Sequence, residues 1–353
     1  MLTVHRAAGR LLRRRAPLSL APLSTTTFGG VPTIDEAPTG ATSSVPPSTA
    51  RCVIIGGGVV GASCAYHLAK AGWTDTVLLE GNELTSGSTW HAAGNCPTYS
   101  SSWSMLKLQA YSTSLYRSLG ARVDYPMNYH VVGAIRLAHC KERMREFEHV
   151  CSMANAQGLG FEMQTPAQLQ ERYPFLELHD LEGGCWDPTD GDIDPAQLTQ
   201  ALAKGARELG ATIVRFCPVT AVRRDEAAGE WVVSTPNGEV RAEKVVNAAG
   251  YRAQEVGRMF GREIPQMTMA HQYLCSEAVP ELTARLAAGT TKLPLMRDPD
   301  TSYPRSGGYY LRQDKDGFIL GPYERDCQAH WMDLENDPMP ADFSFQVRLL
   351  ARD

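Results

Sequence analysis

Gly56-Gly57-Gly58-Val59-Val60-Gly61 sits between an apolar run, Cys52–Ile55, and a stretch of helical spacing that ends at Gly72. No other feature constrains the chain as tightly. A strand, a G-x-G-x-x-G turn and a helix make the first part of a βαβ unit. A second apolar run, Thr76–Glu80, completes it, with an acidic residue 24 positions after Gly56. Each residue type has a physical task. Gly56 permits the tight turn, Gly58 lets a pyrophosphate approach the backbone, and Gly61 lets the helix pack on the strand. The helix N-terminus offers N–H groups and a positive dipole end to phosphate. Glu80 suits the two hydroxyls of an adenosine ribose and would repel a 2′-phosphate. A glycine-rich turn without a ligand is the bland alternative, and the flanking runs together with Glu80 weigh against it.

The rest of the chain decides between nicotinamide and flavin. A nicotinamide enzyme normally continues its parallel sheet directly. Here a long segment intervenes before Val245-Val246-Asn247-Ala248-Ala249-Gly250, an apolar strand ending in small residues that admit a cofactor. With Ala211–Val219 this fits a flavoprotein, whose chain returns to its nucleotide sheet, so FAD is the expected cofactor. Helices are predicted over 104–120, 140–157 and Asp194–Leu209, the last capped by Asp194 with Pro195 in its first turn. Pro236-Asn237-Gly238 turns one hairpin and Asp314–Gly317 another, while Lys244–Ala248 reads as a separate buried strand.

The 353 residues leave room for about two domains. A net charge of −5 argues against a general nucleic-acid binder. Residues 1–34 contain five arginines and no acid, with Ser and Thr following, the composition of a mitochondrial transit peptide. Without those arginines the charge falls to about −10. Nine scattered cysteines with no CxxC pair support neither a disulfide framework nor a metal site. No apolar stretch reaches the roughly 18 residues a membrane span needs.

The segment Leu84-Thr85-Ser86-Gly87-Ser88-Thr89-Trp90-His91-Ala92-Ala93-Gly94 resembles the dimethylglycine/sarcosine dehydrogenase family of mitochondrial flavoproteins. The likeness continues through Asp190-Gly191-Asp192-Ile193-Asp194-Pro195, Val246–Gly250 and Gly321-Pro322-Tyr323-Glu324. It implies an α/β fold: a Rossmann-like FAD-binding domain of the D-amino-acid-oxidase type with an inserted, mostly antiparallel β substrate domain. The expected boundaries are 1–34 for the transit peptide and 35–50 for a linker. Residues 51–130 and 180–260 would form the FAD domain, and 131–179 and 261–353 the substrate domain.

The resemblance implies that His91 is joined covalently to the flavin 8α-methyl group, and that Gly56, Gly58, Gly61, Glu80, Val219, Ala249 and Gly250 help hold the cofactor. It also implies oxidation of an N-methyl amino acid in the mitochondrial matrix. Hydride would pass to flavin and electrons onward to an electron-transfer flavoprotein, the imine being hydrolysed or trapped by folate. His271 matches the family's active-site histidine, and Tyr309-Tyr310 the segment bearing its tyrosine. Arg312 is a candidate carboxylate partner. Each has a structural alternative: a packed histidine, one tyrosine facing the core by strand alternation, a solvated strand-end arginine. Two other functions compete, an oxygen-using oxidase and a regulatory subunit like that of pyruvate dehydrogenase phosphatase, which has this architecture without the histidine.

Two departures from the family stand out. Tyr303–Gly308 reads as a short inserted loop, and Phe343–Gln346 as the start of a returning strand that the chain does not complete. The expectation is a truncated chain with an open sheet edge and reduced stability.

Overall fold

The computed structural model describes residues 45–299, 308–324 and 327–331. The basic leader, most of the insertion and Phe343–Gln346 lie outside the described residues. In chain order the strands are β1 (Thr49–Ile55), β2 (Thr76–Leu79), β3 (Asn95–Cys96), β4 (Tyr129–His130), β5 (Ala134–Ala138) and β6 (Glu162–Gln164). Next come β7 (Gly183–Asp187), β8 (Gly191–Ile193), β9 (Thr212–Val214), β10 (Ala221–Asp225), β11 (Glu230–Thr235) and β12 (Gly238–Asn247). The last are β13 (Thr268–Met269), β14 (Leu274–Cys275), β15 (Leu295–Asp298), β16 (Tyr309–Asp314), β17 (Gly317–Pro322) and β18 (Ala329–His330). The helices are α1 (Val59–Lys70), α2 (Trp103–Arg122), α3 (Lys141–Asn155), α4 (Pro166–Arg172), α5 (Pro195–Glu208), α6 (Ala253–Met259) and α7 (Pro280–Ala287).

The first sheet runs β10-β11-β12-β1-β2-β9. Its four strands β12, β1, β2 and β9 are parallel, as continuous apolar runs covered on both faces predict. One face packs Ile54 and Leu78 against Ala62, Ala65 and Tyr66 of α1 and Leu198 and Leu202 of α5. The other buries Val53, Val77 and Val222 with Val256 of α6. Asp194 caps α5 by accepting N–H groups from Ala196 at 2.9 Å and Gln197 at 3.0 Å, with Pro195 in the first turn. One expectation changes here. The hairpin's second strand and the separate strand at Lys244–Ala248 are a single strand, β12. Its first half pairs antiparallel with β11, and from Arg241 to Asn247 it pairs parallel with β1.

The second sheet runs β14-β17-β16-β15-β5-β7-β6, antiparallel throughout except where β15 lies parallel to β5. Gly183–Asp187 belongs here as β7, so the segment from 183 to 187, assigned above to the FAD domain, pairs in the second sheet. Strand alternation gives this sheet two unlike faces. Ile135, Leu137, Met296, Tyr309 and Leu311 face one way, onto Leu169 of α4, Tyr173 and Leu282 of α7. Arg136, Arg297 and Tyr310 stand in register on the other face. A small sheet, β3-β8-β4, combines two strands that precede β5 with one that follows β7.

Candidate functional site

Three segments converge where the parallel strands end. Gly56 has φ +112°, and a Cβ there would strike the Ala248 carbonyl. Ala248 N–H donates to Ile55 O at 2.9 Å, so the end of β12, with Ala249 and Gly250 following, is packed onto the turn. Gly61 reaches the same point from α1, where a Cβ would run into the Gly56 carbonyl oxygen. Glu80 braces the turn: its Oε2 accepts Gly57 N–H at 2.6 Å and its Oε1 accepts Asn82 N–H at 2.8 Å. Each oxygen retains a lone pair for a further donor. Burial raises the Glu80 carboxyl, and the Asn82 and Gly57 N–H groups pull it back. The segment leading to Val219 runs beside Glu80, whose carbonyl accepts Cys217 N–H at 2.8 Å.

The loop after β2 folds onto this turn. Thr85 holds φ +74°, uncommon for a β-branched residue, and its N–H donates to Gly57 O at 3.2 Å. Thr89 Oγ1 accepts Val59 N–H at 3.0 Å, beside Gly58, satisfying one of the N–H groups that a helix start leaves open. His91 Nδ1 lies 3.1 Å from Gly87 O. A carbonyl only accepts, so Nδ1 carries the hydrogen and the lone pair is on Nε2. Burial lowers the His91 pKa against the pull of that carbonyl, which keeps the ring neutral at neutral pH.

From this loop the chain enters β3, which pairs with β8 and sets Asn95 opposite Asp192. Asp187 ends β7 in the second sheet, Asp190 follows it, and Asp192 lies on β8 opposite Asn95 of β3. Asp192 takes Lys292 Nζ at 2.6 and 2.7 Å, His130 Nδ1 at 3.1 Å and Arg312 Nη1 at 3.4 Å. Asp190 takes Arg136 Nη2 at 3.3 Å, with Arg297 Nη2 at 3.8 Å. Asp187 accepts Thr98 and Thr189 hydroxyls at 2.6 and 2.7 Å. Farther along that face the Tyr310 ring covers Gly321 and meets Tyr323 at 5.9 Å, and Tyr323 meets His271 at 5.3 Å between centroids. His271 Nδ1 faces Glu324 Oε2 at 3.3 Å.

The profile of the FAD dependent oxidoreductase family matches residues 51–351, the span that carries both the glycine turn and the polar face. The chain belongs to this family. It is 42% identical to rat (Rattus norvegicus) mitochondrial dimethylglycine dehydrogenase over 80% of its length, covering 32% of that protein. It is 35% identical to human (Homo sapiens) mitochondrial sarcosine dehydrogenase over 79% of its length, covering 29% of that protein. The chain thus spans about a third of these relatives. L-proline dehydrogenase from P. horikoshii shares the fold, with a TM-score of 0.68 at 24% identity, over 80% of this chain and 72% of that one.

The residues present fit the family's cofactor. The backbone contacts at Gly56 and Gly61 leave no room for a Cβ, which keeps the turn tight and bare at the start of α1, and Glu80 follows β2 with spare acceptor capacity. Among the described residues no helix is long and apolar enough to cross a membrane.

The predicted substrate residues separate. Tyr310 joins His271 and Tyr323 on the polar face, whereas Tyr309 lies in the opposite core. Burial first, then Tyr323 and Tyr273, push the Tyr310 phenol up to about 12, against Arg312 and Arg297. It therefore stays a hydrogen-bond donor through the neutral range. Arg312 is held by Asp192 and by Asp314 at 3.4 Å each. Sequence reasoning missed the ionic cluster. Part of its signal was present: Arg136 is a charge inside the otherwise apolar strand Ala134–Ala138, which a core tolerates only when paired.

Asp190 makes a pH prediction. Burial pushes its carboxyl up to about 6 despite Arg297 and Arg136. An unfolded Asp titrates near 4, so the folded state takes up the proton first. Its contribution to stability is then greatest below about pH 4 and is lost as the pH rises through about 6. Urea unfolding at pH 5 and pH 7 is expected to show a smaller loss over that interval in Asp190→Asn than in the unaltered chain. Equal losses would show that Asp190 titrates normally.

Proposed function

We propose that this chain oxidises the N-methyl group of a small amino acid such as sarcosine or dimethylglycine, with FAD as hydride acceptor and an electron-transfer flavoprotein downstream. The reading extends to the mitochondrial matrix, in keeping with the mitochondrial names of both dehydrogenase relatives. The observation that carries it is His91. Its loop is tied to the glycine turn through Thr85 and Thr89, and its ring is neutral with the lone pair on Nε2. That is the state a nucleophile needs. When bound, FAD supplies a two-electron acceptor. We assign His91 Nε2, the ring nitrogen that carries the lone pair, as the atom that would hold the flavin at its 8α position. Gly56, Gly58, Gly61, Glu80, Val219, Ala249 and Gly250 hold the dinucleotide. Tyr310 donates a hydrogen bond, and His271, oriented by Glu324, holds the amine proton.

Denaturing precipitation tests the attachment. Yellow colour is expected to stay with the pellet, and in His91→Ala to move to the supernatant or vanish. A colourless pellet from the unaltered protein overturns the attachment. Reduction of an artificial dye by sarcosine or dimethylglycine, with and without oxygen, separates dehydrogenase from oxidase. No reduction by any N-methyl amino acid would leave the regulatory-subunit reading.

A further inference from the structure

We infer that Arg297, and not Arg312, is the residue that anchors the carboxylate of the substrate, an inference that rests on the amino-acid oxidation proposed above. Arg297 sits on β15 in register with Arg136 on one side and Tyr310 on the other, so all three side chains share the polar face. Its Nε and Nη2 are shut off from solvent and have no hydrogen-bond partner, although the side chain as a whole is 23% exposed. The nearest carboxylate oxygen, Asp190 Oδ2, is 3.8 Å from Nη2, close enough for attraction and too far for a hydrogen bond. Nε and Nη2 lie along one edge of the guanidinium, and that edge matches a carboxylate with two parallel N–H···O bonds. Leaving such donors buried and unmet is costly, so the edge is built for an acceptor.

The neighbouring cations are spoken for. Arg136 bonds Asp190 through Nη2 and stacks on the Tyr99 ring at 4.2 Å; its Nη1 is unmet, 3.9 Å from Asp187, but a single nitrogen offers no two-donor edge. Lys292 bonds both oxygens of Asp192. Arg312 divides Nη1 between Asp192 and the half-exposed Asp314. Arg312 also keeps an unmet Nε, but one N–H does not make a fork. Four carboxylates (Asp187, Asp190, Asp192, Asp314) face four cations (Arg136, Lys292, Arg297, Arg312), so it is the unmet edge of Arg297, and not an excess of charge, that singles it out. A small amino acid held by Arg297 has Tyr310 beside it in register and Tyr323 next to that ring. Arg312 is then a strut that fixes β16 to β8.

The test measures binding rather than turnover. Methoxyacetate has the length and carboxylate of sarcosine with an ether oxygen for the amine, and methoxyacetamide is its uncharged counterpart. Calorimetric titration of the flavin-bearing protein is expected to show a clear preference for the carboxylate. Arg297→Met weakens methoxyacetate binding by at least about 30-fold and leaves the amide unchanged. Arg297→Lys, which keeps the charge and gives a second folded variant, recovers part of that loss. Arg312→Met leaves the preference between the two ligands intact. Loss of the preference in Arg312→Met with its retention in Arg297→Met or Arg297→Lys overturns the assignment, as does an unaltered protein that binds both ligands equally. Dye reduction by sarcosine runs in parallel. If the Arg297-dependent preference holds while no N-methyl amino acid is oxidised, the anchor stands and the amine-oxidation reading falls. If Arg297→Met oxidises sarcosine with unchanged KM, the anchor falls and amine oxidation stands.

Discussion

Gly61→Val is expected to yield a chain that purifies without flavin and unfolds at markedly lower urea concentration than the unaltered protein. The reason lies in one contact. A Cβ at Gly61 would meet the Gly56 carbonyl oxygen, which belongs to the turn and cannot rotate away like a side-chain end. Relief requires α1 to move off β1. Gly56 itself is held on its far side by Ala248, so the turn has no free direction in which to yield. Overpacking of a rigid site costs about 1–3 kcal/mol, and the three carbons that Val adds at a backbone contact belong at the upper end. Movement of α1 also displaces Val59 N–H from Thr89 Oγ1 and strains the Gly57 N–H bond to Glu80, two of the bonds that join turn, loop and second strand. Flavin absorbance per polypeptide and the urea midpoint are the readouts. A yellow Gly61→Val protein with an unchanged midpoint would show that the helix does not need this close approach.

The βαβ unit was legible in the sequence because its signals are local. Apolar runs, glycine spacing and an acid at the end of the second run all lie within thirty residues. α5 was legible for the same reason, with Asp194, Pro195 and Gly210 marking both ends. What escaped depends on contacts between distant segments. β12 reads as two strands because Arg241, Glu243 and Lys244 interrupt its apolar pattern. Pairing with β11 on one side and β1 on the other carries it through. β3, β4 and β8 have two or three residues each, too short for any period to register. The Tyr309-Tyr310 pair shows where pattern stops. Alternation predicts that one faces the core, and only the packing of Leu169, Tyr173 and Leu282 shows that it is Tyr309. Arg312 shows the converse. The sequence offers it as a carboxylate partner, and Asp192, 120 residues away, already occupies it.

Asp192→Ala is expected to destabilise the chain by about 3–5 kcal/mol, because removing one side of a buried ion cluster leaves the other side charged and unpaired. The carboxylate is only 4% exposed and holds Lys292, Arg312 and His130 at once. No other carboxylate among the described residues bonds Lys292, and Arg312 would keep only the rim contact with Asp314. The position magnifies the loss. Asp192 sits in the middle of β8, which pairs with β3 on one side and β4 on the other, and β3 continues directly from the His91 loop. The same residue therefore links the loop at the glycine turn to strand β16 of the second sheet. Its removal is expected to loosen flavin retention as well as lower the urea midpoint. Asp192→Asn keeps an acceptor and loses only the charge, so it should fall between the two. Replacing Lys292 by Met in the Asp192→Ala background should recover part of the loss, since the stranded cation is the main cost. A loss below about 1 kcal/mol in Asp192→Ala, the range of an exposed pair, would mean that water reaches the cluster and that the two sheets are joined by other contacts.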